Sequence, residues 1–140
     1  MTILAALQKK TKCLEQLLSV SDAFLDSPLE ADTLSQFEIV RAGIFKAIEL
    51  YQHRIEEITK TLDRHMIDTA TAALIENELH RQNSILSKIQ SVDSRIMNKL
   101  QKEMESTKIE LTNSKKTRKS LSKFKSGSRP EGGEKLNKVL

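Results

Sequence analysis

One hundred and forty residues, 38% hydrophobic and 30% charged, with four Gly, two Pro, no Trp and five aromatic rings, indicate one all-α domain of few, long, slenderly packed elements. That composition argues against a deep catalytic pocket. No apolar run nears the roughly 20 residues that span a bilayer, so membrane insertion is not expected. The net charge of +4 joins two unlike parts: residues 115–140 hold nine Lys/Arg against two Glu (+7), and the other 114 residues hold 14 basic against 17 acidic (−3).

Along the chain, Ile3, Leu4, Leu7, Leu14, Leu17, Leu18, Phe24 and Leu25 trace one face of a first helix over about residues 2–26. The apolar start Met1–Leu7 is interrupted by Lys9 and Lys10, short of a signal peptide's core, and the single Cys13 fits a reducing compartment, so the expected location is cytoplasmic. Ser27-Pro28-Leu29-Glu30 reads as a capping box with Pro in the first turn, predicting a second helix over about 28–64. That helix carries Leu34, Phe37, Val40, Ile44, Ile48, Tyr51, Ile55, Ile58 and Leu62, with heptad-like steps from Ile48 onward. Gly43 inside it costs about 1 kcal/mol against Ala. The expectation is that a neighbouring helix uses the space, with a mild hinge as the alternative.

Between Asp63 and Thr71 the apolar rhythm falters, and Asp68 or Thr69 offers the best N-cap. The stretch from Thr69 to Phe124 contains neither Gly nor Pro. Ile85, Ile89, Val92, Ile96, Leu100, Met104 and Leu111 recur in it at helical spacing, with Thr107 in the one gap, predicting a third helix over about 69–124 with an end at 112 as the alternative. Steps averaging about 3.7 residues suit a straight helix better than a strict left-handed coiled coil. The simplest arrangement is a long antiparallel hairpin braced by the first helix, residues 1–125 forming the helical domain. Residues 126–140 hold three of the four Gly and one Pro and read as a flexible basic tail.

Motifs for catalysis do not emerge. There is no Gly-rich phosphate loop, no Cys pair with zinc spacing and no nucleophile elbow. None of His53, His65 and His80 follows a Glu by three residues, as a helical carboxylate metal site requires. The expectation is therefore no enzyme, no metal and no cofactor, with Cys13 a small buried apolar side chain. Met66, Met97 and Met104 read either as core filling or as soft thioethers on a surface that accepts partner helices. The basic run Lys115–Lys125 suits a helix C-terminus. Nucleic acid is not the expected partner, since only Phe124 is interleaved as a stacking ring.

Residues from about Leu79 onward, with Ile89, Asp93, Ile96 and Leu100 followed by the run Lys115-Lys116-Thr117-Arg118-Lys119-Ser120-Leu121-Ser122-Lys123-Phe124-Lys125 and a Gly-containing tail, resemble the FlgN/FliT class of flagellar type III export chaperones. Phe124 stands where members of that class often carry Tyr, keeping the ring without the hydroxyl. The resemblance implies a small cytoplasmic helical protein that binds C-terminal helical segments of hook-associated or filament-cap subunits, prevents their premature assembly and delivers them to the export gate or export ATPase components. On that reading the stripe Ile89, Val92, Ile96, Leu100, Met104 and Leu111 holds the client helix. Leu121, Phe124, Lys119 and Lys123 make the second, charge-steered contact with the export gate. The rival readings are a structural coiled-coil protein whose stripe is covered by self-association, a homodimer being allowed in either case, and a basic nucleic-acid accessory protein.

Overall fold

The computed structural model describes residues 1–121, with the side chains of residues 1–63 and 65–107. Three helices account for nearly all of it: α1 (Ile3–Asp26), α2 (Ala31–Thr61) and α3 (Thr69–Leu121), with one 3₁₀ turn at Arg64–Met66 before α3. The chain divides into two compact units, Met1–Asp93 and Ser94–Leu140.

Each boundary has a local cause. Thr2 caps α1 by accepting from the Ala5 N–H at 3.1 Å. At the other end Ser27 closes α1, its N–H (3.2 Å) and its hydroxyl (2.8 Å) both donating to the Phe24 carbonyl. The expected capping box at Ser27 is therefore corrected: the hydroxyl serves the helix before it, and α2 begins at Ala31 with Glu30 as a cap residue that makes no side-chain bond. Asp68 is the cap of α3. Its carboxylate accepts from the Thr71 N–H at 2.6 Å, and its carbonyl accepts from Ala72. A hydrogen bond from the Thr71 side chain, and then that from the Thr71 N–H, hold the Asp68 carboxyl below its ordinary value against slight desolvation.

Within the first unit the helices run up, down, up. Lys10 Nζ donates to Gln52 Oε1 at 2.8 Å near one end, while Phe24 stacks on Phe37 near the other with centroids 4.1 Å apart, so α1 and α2 are antiparallel. Leu14 and Leu17 pack with Ile85 and Ile89 in the core, and Leu18, Ile44 and Ile48 close over it. This is the long α2–α3 hairpin braced by α1, a helix-bundle fold.

A buried polar knot sets how α1 lies on α3. Gln82 Nε2 donates to the Leu7 carbonyl (2.9 Å) and to Thr11 Oγ (3.1 Å), and the Thr11 hydroxyl donates to the same Leu7 carbonyl (2.9 Å). Glu15 and Arg81 pair on the rim one turn away. An apolar seam tolerates a slip of one heptad, whereas such a slip would strand Gln82 in apolar surroundings.

In the second unit, α3 continues through Leu121, with Ile96 and Leu100 buried and Met104 half-buried.

Candidate functional site

The helical rhythm brings α2 and α3 together along Ile44, Ile48, Ile85 and Ile89 and leaves apolar side chains on the flanks of that seam. On α2, Phe45 lies next to the seam and stays 41% exposed; on α3, Leu86, one residue past buried Ile85, and Leu79, one heptad before it, stay 40% and 44% exposed. The flank of α3 that bears Leu79 and Leu86 also bears Asp93, which pairs with Arg41 of α2 through Nη2 and Oδ2 at 2.9 Å. By helical register these residues border the groove between the two helices on one flank of the first unit.

One end of the groove is polar and stiff. The Arg41 guanidinium lies 5.7 Å from the Phe37 ring centroid and 5.3 Å from that of Phe45, so it is held by two aromatic faces as well as by Asp93. The second oxygen of that carboxylate, Oδ1, is buried and has no hydrogen-bond partner among the described residues. The groove therefore offers an apolar wall and a fixed charged end, which is what recognition of an amphipathic helix uses.

The stripe read from the sequence lies elsewhere in burial. Ile89, Val92, Ile96 and Leu100 are each less than a tenth exposed, Met104 is half-buried, and the side chain of Leu111 lies outside the described residues. Their surface is already covered, so a helix could reach them only after the chain opens. The groove residues Phe45, Leu79 and Leu86 escaped notice because they fall off the main rhythm. The signal for Phe45 and Leu86 is an apolar residue one position beyond Ile44 and Ile85, and Leu79 stands one heptad before Leu86. Of the export-gate set, the side chains of Leu121 and Lys119, and Lys123 and Phe124 altogether, lie outside the described residues.

Gly43 also differs from expectation. No atom lies within 4 Å of where a Cβ would stand, so no helix of the described chain uses the space. Cys13 is buried as expected; burial pushes its thiol up, and nearby Lys9 draws it partly back. His53, His65 and His80 are exposed, His53 lying 3.1 Å from Glu57 and His80 3.7 Å from Glu76 on their own helices. Among the described residues no group of three His, Cys, Asp or Glu is placed to hold a metal ion, and no helix is long and apolar enough to cross a membrane. No family model, curated protein or solved structure matches the chain.

Proposed function

We propose that this chain is a helix-capturing chaperone of the flagellar type III export kind. It would hold the C-terminal helical segment of a hook-associated or filament-cap subunit, keep it from assembling, and pass it to the export gate. The observation that supports this best is the α2–α3 groove, whose apolar rim of Phe45, Leu79 and Leu86 stays exposed among the described residues, while Ile89, Val92, Ile96 and Leu100 are buried. A client's apolar face would lie on Leu79 and Leu86, and a basic side chain of the client would approach the part of the Asp93 carboxylate that reaches water. Should the client also part the helices, Ile89 and Val92 become its next contacts. Delivery falls to the basic stretch with Lys119, Leu121, Lys123 and Phe124.

The test is binding of labelled C-terminal helical peptides from such subunits, followed by fluorescence anisotropy. Leu79→Asp with Leu86→Asp should leave helix content and thermal unfolding close to wild type, because both side chains are already in contact with water, and should weaken capture at least tenfold. Wild-type affinity in that double variant would remove the groove from the account. Ile96→Asp with Leu100→Asp should instead unfold the chain, since each places a charge at a buried position. Leu121→Ala with Phe124→Ala should preserve capture while lowering secretion of the client in cells.

A further inference from the structure

We infer that the outward face of α2 is where two copies of this chain meet, antiparallel, with Gly43 of each against Ala47 of the other. The helix has two heptad-spaced seams. The inner one, Phe37, Arg41, Ile44, Ile48, Tyr51 and Ile55, is buried or half-buried in the chain's own bundle. The outer one runs one residue behind it, Gln36, Val40, Gly43, Ala47, Leu50 and Arg54, in steps of four and three. Its members are exposed except half-buried Ala47. Ile39 beside it is 69% exposed, Leu50 is 59% exposed, and Met1 extends the patch into a shallow cleft with Leu50, Arg54 and Ile58.

Two features make a second copy the fitting occupant. The first is size. An antiparallel pair whose two-fold axis passes midway between positions 43 and 47 sets Gly43 against Ala47, Val40 against Leu50 and Gln36 against Arg54. Small thus meets small where the axes approach, near the lower end of the usual 8–10 Å, and large meets large to either side. A shift of one heptad sets Arg54 against Gly43, or leaves Gly43 under Val40. The second feature is charge. The antiparallel register brings Asp32 of each copy toward Lys60 of the other, whereas a parallel pair stacks Arg54 on Arg54 and Glu57 on Glu57. Only Lys46 meets its own copy near the axis, and its long stem keeps the ammonium group in water. Among the described residues no atom lies within 4 Å of where a Gly43 Cβ would stand, so none of them gains from the glycine in return for its cost to the helix. This face lies on the opposite flank of α2 from Phe45, so self-association and the proposed client groove can fail separately.

Sedimentation velocity of the full chain from about 1 to 100 μM should show the mass climbing from 15.9 kDa toward twice that value. Gly43→Arg should weaken self-association at least tenfold with helix content unchanged, because the substituted side chain enters open space in the monomer and the axis of the dimer. In a Cys13→Ser background, a Val40→Cys chain mixed with a Leu50→Cys chain should form the mixed disulfide, and Val40→Cys alone should not cross-link. A wild type that stays monomeric throughout, an undiminished dimer in Gly43→Arg, or a Val40→Cys chain that cross-links to itself would each overturn the proposal.

Discussion

The two helices that open the chain are built from similar material and end in different places. α1 buries eight of its 24 residues, whereas α2 buries one of 31, Phe37, while keeping Ile39, Val40, Phe45 and Leu50 on the surface. The hydrophobic effect rewards area removed from water, so α1 contributes to stability far beyond its length, and the outward apolar residues of α2 contribute little to the free chain. The contrast separates two uses of an apolar side chain. Those of α1 hold the fold, and those on the flanks of α2 are available to something else.

The sharpest way to break that contrast is truncation. Leu17→Ala in α1 should cost about 2–5 kcal/mol in denaturant unfolding, because the side chain is almost wholly buried beside Leu14, Ile85 and Ile89. Ile39→Ala in α2, measured the same way at low protein concentration, should stay within about 0.5 kcal/mol of wild type. Equal losses would mean that α2's surface is part of the core after all. Next in size, Gln82→Ala should cost about 1–2 kcal/mol through loss of its two buried hydrogen bonds to α1. Gly43→Ala should stabilise the monomer by about 1 kcal/mol, read as a higher midpoint with unchanged slope, since the added methyl meets nothing.

Two smaller effects sharpen the picture. The Ser21 hydroxyl is buried in α1 with no hydrogen-bond partner, so Ser21→Ala should be neutral or mildly stabilising. Asp68 gives a pH signature. Its carboxyl is held below the ordinary 3.8, so its contribution is fully present above that pH and is lost as the pH falls through the lowered value. Thermal unfolding of wild type and Asp68→Asn should differ in slope only in that acid range, the amide preserving the cap without titrating.

How much of this was legible in the sequence depended on how local the cause was. The apolar rhythm of α1, the Asp68 cap and the single long third helix follow from spacing and side-chain chemistry within a turn or two. The start of α2 did not, because Ser27 had two helices to serve and the carbonyl of Phe24 was the nearer acceptor. The rhythm Ile85, Ile89, Val92, Ile96, Leu100 shows that these residues share a face. It does not say whether the cover is the chain's own or another protein's. For Ile85 and Ile89 the structure supplies Leu14 and Leu17, some 70 residues earlier, a pairing no local pattern contains. Gly43 suggests a close approach by a neighbouring helix, yet among the described residues no atom lies near it.

The knot at Gln82 also has a consequence in time. Its hydrogen bonds join residues 71 and 75 positions apart, and the apolar face of α1 finds Ile85 and Ile89 only beyond that point. During synthesis at about 5–20 residues per second, α1 waits several seconds with half of its partners unmade, leaning only on the antiparallel α2. The nascent chain is then a two-helix hairpin with an open apolar side. Ribosome-bound chains in which α2 has left the exit tunnel but Ile89 has not should accordingly be the ones most readily seized by holdases, and those in which Ile89 has also emerged should escape them.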